Sequence, residues 1–178
     1  MTNPLLADWT AEFALPPFDA IRDEDFAPAF EAALEEARTR IGDIAGNAEA
    51  PTFANTIAAM ELAEALLDRV GGVFYNLAGS DATPAREALQ RDLAPKMAAF
   101  STEVLTNPAL WARVRTLWEA RETLGLDAEQ ARVLELYRRM FVRAGADLAG
   151  AARDRMAAVK ERLAVITTQF SQNILAEE

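Results

Sequence analysis

The side chains with chemistry to offer are carboxylates. Asp23/Glu24/Asp25, Glu35/Glu36, Glu61/Glu64 and Glu177/Glu178 stand in pairs or triplets. Two carboxyl groups held close together are the equipment of a glycoside hydrolase, one giving a proton and the other taking one or attacking. Nothing beside them completes another kind of site. The chain has no histidine and no cysteine. Ser-His-Asp and Cys-His arrangements are therefore excluded, and a catalytic zinc site has lost its usual imidazole and thiolate donors. A di-metal centre in a helical bundle lacks the histidines that accompany its glutamates. The D-x-D-x-D-G spacing of a calcium loop does not occur. Gly71-Gly72 has neither a Gly-x-x-x-x-Gly-Lys frame nor a strand before it, so it is no phosphate loop. Acids at these spacings are ordinarily the solvated faces of helices, and no catalytic, cofactor-binding or metal-binding residue is assigned.

Composition sets the frame for such faces. The chain has 178 residues, 51% hydrophobic and 26% charged, enough to bury a core without disulfides or metal. A formal charge of −10 repels phosphate backbones, so no nucleic-acid partner is expected. The basic residues Arg138–Arg139 and Arg113/Arg115 read as solvated helix faces. "MTNPLLADWTAEF" has no basic and apolar leader pattern, and no stretch is apolar for the length of a membrane span. The expectation is a cytoplasmic protein without a membrane partner.

The elements that would position these side chains are all helical. Residues 1–22, with three prolines after Met1 and no helical or strand period, read as an extended arm, pinned to a body at 23–178 by Trp9, Phe13, Leu15 and Phe18. Asp23 reads as the cap of a first helix, whose stripe is Phe26, Phe30, Leu34, Ala37, Ile41 and Ile44, closed by Gly46-Asn47. A second helix runs from Asn55 or Thr56 to Leu77. Its wide stripe contains Ile57, Met60, Leu62, Ala63, Leu66, Leu67, Val70, Val73 and Phe74, and Gly71-Gly72 interrupts it as a kink or close crossing rather than a hinge. Thr83-Pro84 opens a third helix with a kink at Pro95. Asn107-Pro108 opens a fourth, ended by Gly125, and Asp127 with Gln130 opens a fifth, ended by Gly145. A last helix starts near Asp147 and carries Ala149, Ala152, Met156, Val159, Leu163, Ile166, Phe170 and Ile174; unbroken, it is about 45 Å long. With no period-two alternation, the predicted fold is all-α, an antiparallel bundle of about six helices behind an extended N-terminal arm.

Several stretches in this order carry a resemblance. They are "NPLLADWT" followed by "FALPPFDAIRDEDFAPAFEAAL", then "PTFANTIAAMELAEALLDRVGGVFYNLAGSDAT", "NPALWARV", "LGLDAEQARVLELYRRMFVRAGADL" and "ERLAVITTQFSQNIL". Together they resemble the N-terminal helical region of the oligopeptidase A / peptidyl-dipeptidase / thimet oligopeptidase family of zinc metallopeptidases, over nearly the whole chain. In that family zinc sits in a His-Glu-x-x-His helix with a further Glu downstream, beyond the region matched. The resemblance thus implies zinc in a full-length parent, none in this chain, and the catalytic domain of the same polypeptide as partner. Short peptides would meet this region as one wall of the parent's channel. Phe53, Asn55, Thr56, Asn76, Gln169, Phe170, Ser171 and Asn173 match the family's motifs and read as caps and packing. The chain alone is expected to be inactive.

The alternative expectation is a stand-alone helical module that binds proteins or peptides. The final stretch "ERLAVITTQFSQNILAEE" has no Gly or Asn stop and ends in two acids, the wrong sign for a helix C-terminus. Either its helix frays at a natural terminus, or something that followed has been cut away. Self-association through exposed helix faces, or a terminus frayed after about Gln169, is expected on the second account.

Overall fold

The computed structural model describes residues 3–152 and, beyond them, 155, 156, 158, 159, 162, 163 and 166. Side chains capping backbone N–H groups set where three of the α-helices begin. Thr83 Oγ1 accepts from Arg86 N at 3.2 Å, Asn107 Oδ1 from Ala109 N and Leu110 N at 2.9 and 3.2 Å, and Asp127 Oδ1 from Gln130 N at 2.8 Å. Each fills donors that a first helical turn leaves unpaired. The helices they open are α4 (Pro84–Leu105), α5 (Pro108–Ala120) and α6 (Ala128–Ala144). Proline follows the cap in α4 and α5, where its missing N–H costs nothing. Gly145, at φ 97°, closes α6 with the left-handed residue that only glycine adopts cheaply. Among the described residues there is no strand; the molecule is an all-α bundle, as its periodicity predicts.

Helix α1 (Asp23–Gly46) is the axis of the core. All six residues of its expected stripe are buried. Phe26 and Phe30 meet Phe74 edge to face, with ring centroids 5.2 and 5.4 Å apart, which fastens α1 to α3 (Ala65–Ser80). Such pairs contribute about 1 kcal/mol beyond the area they bury. Trp111 stacks on Phe141 at 6.0 Å and joins α5 to α6.

Four local expectations need correction. The cap of α1 is Arg22, whose N–H donates to Asp25 Oδ2 at 2.8 Å. Asp23 instead accepts from Arg86 Nε at 2.8 Å and from the Thr83 hydroxyl at 3.2 Å, tying the start of α1 to the start of α4. The second helix begins earlier, at Phe53, in a π-helical turn (Phe53–Ala58) that runs into the short α2 (Ala59–Ala63). The break lies at Glu64, with φ −98° and ψ 5°, and not at Gly71-Gly72, which sit inside α3. A Cβ on Gly71 would meet only the Tyr75 ring, at 3.8 Å, and one on Gly72 would meet nothing, so neither glycine serves a close crossing. Pro95 lies inside α4. Helix α5 gives way after Ala120 to a 3-10 turn (Arg121–Thr123), and Gly125 follows at φ 63°.

The N-terminal arm is held differently from its expected four pins. Leu5 is fully buried and Trp9 is half-buried, whereas Phe13, Leu15 and Phe18 are exposed. Hydrogen bonds explain the choice. Asn3 Nδ2 donates to Asp25 O at 2.7 Å, and Asn3 Oδ1 accepts from Leu5 N at 2.9 Å. Arg69 on α3 donates to Leu5 O at 3.1 Å and lies 4.9 Å over the Trp9 ring. These contacts latch residues 3–9. Phe13 and Ala14 then adopt φ of 58° and 51°, an unfavourable region for L-residues, at a turn carrying Phe13 into solvent.

Past Gly145, residues 150–152, 155, 156, 158, 159, 162, 163 and 166 are helical. Gln169, Phe170, Ser171, Asn173 and the acids Glu177/Glu178 lie outside the described residues, as does the expected fraying after Gln169.

Candidate functional site

Two polar constellations stand out, and they meet on the segment 53–68. The first centres on Arg113. It reads from sequence as part of a solvated face, yet it is only 6% exposed. Its register explains this: Leu110, Trp111, Val114 and Leu117 are all buried, and Arg113 falls within the same inward stripe. Its Nε donates to Thr56 Oγ1 at 3.2 Å and its Nη2 to Asn55 Oδ1 at 2.8 Å. Its Nη1 donates to Asn47 O at 2.9 Å and Glu49 O at 3.1 Å. One guanidinium thereby gathers the end of α1, the loop after it and the π-helical turn. Asn55 also pairs with Thr52, N to Oγ1 at 3.0 Å and Oδ1 to N at 2.8 Å. The motif residues Asn55 and Thr56 are therefore caps and clamp partners, as expected. Phe53 packs half-buried on the core. Asn76 is exposed, and its carbonyl accepts from Ser80 Oγ at 2.8 Å. With four of its five N–H groups engaged inside the protein, Arg113 has little left for a substrate. Its neighbour Arg115 is exposed, 3.8 Å from Glu119. Arg138 lies 4.8 Å over the Trp118 ring, which Arg121 covers at 4.4 Å.

The second constellation is a groove of about 340 Å³ between α2, the start of α3, α4 and α6. Met60, Met97, Phe100, Val104 and Leu105 give it an apolar floor, Glu61, Glu64 and Asp68 give it an acidic wall, and Tyr137 and Met140 join the lining from α6. Burial raises Glu64 above the usual carboxylate range, and the charges of Asp68 and Glu61 add to that. Burial also raises Tyr137, together with its hydrogen bond to Glu61 and the charges of Glu61, Glu64 and Asp68. Its phenol stays protonated and donates. Among the described residues no cation forms an ion pair with any of the three acids. A second concavity, of about 520 Å³, adjoins the groove at Val133, Leu136, Arg139 and Arg143, sharing Glu61, Tyr137 and Met140. Exposed Leu136 and Met140 extend the apolar surface around it; Leu62 is exposed and leaves the buried stripe expected of it, since it lies off the face drawn by Met60, Ala63 and Leu67.

Of the described acids that stand in pairs or triplets along the sequence, Glu61 and Glu64 meet in this groove, joined by Asp68 and Tyr137. The triplet at 23–25 instead builds the start of α1, and Glu36 pairs with Arg40 at 2.6 Å along one helix face. Among the described residues no group of three His, Cys, Asp or Glu side chains is placed to hold a metal ion. The donors present are carboxylates alone, which do not fit the zinc site that the family resemblance implies for a parent protein. No described helix is long and apolar enough to cross a membrane.

The chain matches no protein-family model. It is 35% identical, over 174 residues, to dipeptidyl carboxypeptidase of Escherichia coli (strain K12), an alignment covering 98% of the chain and 26% of that protein. The chain is a homologue of the dipeptidyl carboxypeptidases. The protein of that name from Salmonella typhimurium (strain LT2) matches at the same identity over 175 residues, and oligopeptidase A of the same organism is 28% identical over 176 residues, again a quarter of its length. The resemblance carried by the sequence motifs is thereby shown. The chain spans about a quarter of the length of the curated relatives it matches, consistent with an N-terminal region of that family.

Proposed function

We propose that this chain is the N-terminal helical region of a zinc-dependent peptidase of the dipeptidyl carboxypeptidase and oligopeptidase A type, forming one wall of the channel that admits short peptides. The observation that carries the reading is the alignment itself, which takes in almost all of the chain and only a quarter of each relative. The make-up of the helices supports it. Charge is locked into the scaffold at Arg113 and Asp23 and displayed beside apolar surface at the groove. The zinc and its His-Glu-x-x-His helix would be supplied by the rest of the polypeptide, which is also this region's first partner. Alone, the region hydrolyses nothing. A cytoplasmic location goes with the reading.

Reading the frame beyond Glu178 tests it. A downstream His-Glu-x-x-His with a further Glu is expected, and a stop codon there overturns the proposal. A second reading, a stand-alone helical module that binds proteins or peptides, is favoured by one observation: the acidic wall of the groove lies open beside an apolar floor.

A further inference from the structure

The groove and the concavity beside it form one apolar surface that carries charges of both signs. Glu61, Tyr137 and Met140 belong to both hollows, so the two are continuous. Glu61, Glu64 and Asp68 supply the negative charge, and Arg139 and Arg143 the positive. The two arginines are four residues apart on α6 and so share one face of it. Among the described residues no ion pair engages any of these five side chains. Arg139 helps to lower the Glu135 carboxyl, but the hydrogen bond that holds Glu135 comes from Arg132. Leu136 and Met140 stay 38% and 42% exposed. Apolar area left in water costs about 25 cal/mol per Å², and neighbouring anions repel one another. A partner that is apolar and bears a cation removes both costs.

We propose that this surface seats a segment of the rest of the polypeptide, apolar where it enters the groove, with lysine or arginine against Glu61, Glu64 and Asp68 and a carboxylate against Arg139 or Arg143. The inference rests on the reading of the chain as one region of a longer peptidase, and it adds where the remainder packs. The alignments leave most of each relative unmatched, so there is ample polypeptide to cover the surface. A second copy of this chain is the poorer occupant, because two chains of formal charge −10 repel each other. A segment of the same polypeptide is kept close by the covalent chain, so its effective concentration is high and even a modest surface stays covered. Met60, Met97 and Met140 suit the lining because their flexible side chains fit themselves to an entering apolar face.

Cysteine alkylation tests the seating. The chain has no cysteine of its own. Met140→Cys therefore places one thiol on the surface, and Ala48→Cys places one on the exposed loop after α1. In the 178-residue chain both thiols are expected to react with iodoacetamide at similar rates. The same substitutions are then made in the uninterrupted product of the reading frame, and the labelled residue is located by peptide mass spectrometry. There the thiol at position 140 is expected to react at least about tenfold more slowly, because a covered thiol reacts only when its cover opens, while the one at position 48 keeps its rate. Adding Glu61→Arg/Asp68→Arg to the long product is expected to restore fast alkylation at position 140, and the same double change is expected to leave the circular dichroism of the 178-residue chain unaltered. Equal rates at position 140 in the two forms overturn the proposal, as does protection that survives the charge reversal. Slow alkylation at position 140 in the 178-residue chain also overturns it: a rate that falls with protein concentration assigns the surface to a second copy, and a rate independent of concentration assigns it to residues of the chain itself. These outcomes leave the peptidase reading standing, whereas a stop codon after Glu178 removes both.

Discussion

Arg113 and the acids at 61–68 meet on the segment 53–68, which holds the acids and two of the partners of Arg113, and they handle charge in opposite ways. Around Arg113 one cation is enclosed and answered by four acceptors held between 2.8 and 3.2 Å. Around the groove three anions crowd one wall with no cation paired to them among the described residues, and burial with mutual repulsion holds Glu64 toward its protonated form. The enclosed arrangement can do nothing but hold the bundle together, since a buried charge that lost its partners would be very costly. The open one carries a cost within the monomer that a positively charged partner would relieve. A charge met inside the chain makes scaffold, and a charge left for the outside makes a surface for recognition.

Substitutions can break this contrast, and the largest effect belongs to the enclosed side. Arg113→Ala should lower unfolding free energy by about 3 kcal/mol, because Thr56, Asn55 and two loop carbonyls lose their donor inside the protein. Urea titration should show a lower midpoint at unchanged slope. Arg113→Lys should recover only part of this, as an ammonium cannot reach acceptors on three sides at once. Thr56→Val should cost about 1–2 kcal/mol by leaving the Arg113 Nε–H without its acceptor. Tyr137→Phe, on the groove side, should cost under about 1 kcal/mol, since Glu61 can turn to water instead.

The smallest effect should have the opposite sign. Glu64→Gln should raise the melting temperature slightly at neutral pH. The folded-state pKa of Glu64 lies above its unfolded value, so the folded chain holds that proton more tightly. Its contribution to stability is greatest below the ordinary carboxylate range and is lost as pH rises through the folded pKa. The gain from Glu64→Gln should therefore be absent in acid, grow across that window and level off above it, as thermal melts at several pH values will show. A loss of stability at neutral pH would mean that the wall is as well satisfied as the Arg113 clamp.

Much of the fold was legible because its signals are local. Thr83, Asn107 and Asp127 announce their helices by residue type, Gly145 ends one as the residue that tolerates a left-handed turn, and the stripe of α1 reads directly from its period. What escaped notice depends on distant groups. Arg113 reads as solvent-facing by charge, although its spacing from Leu110, Val114 and Leu117 was a usable sign that it points inward; its partners lie more than fifty residues earlier. Asp23 reads as a cap because nothing in its neighbourhood reveals Arg86. The break at Glu64 carries no glycine or proline, and the glycines that do look like a break are carried inside α3. The groove was half legible. Glu61/Glu64 is visible as a pair, but Asp68 joins it through helix geometry and Tyr137 only through the packing of α6. The exposed Phe13, Leu15 and Phe18 show the limit of counting aromatics, since the arm is latched by Asn3, Leu5 and Arg69 instead.

The central claim is that this chain is a scaffold region of a peptidase whose chemistry lies elsewhere in the polypeptide. Its most direct test is the release of dipeptides from the carboxyl end of a short peptide, measured with zinc for the purified 178-residue chain and for the uninterrupted product of its reading frame. The account predicts zinc-dependent release by the long product and none by the chain alone. Release by the chain alone, or a long product inert toward peptides with zinc present, would contradict it.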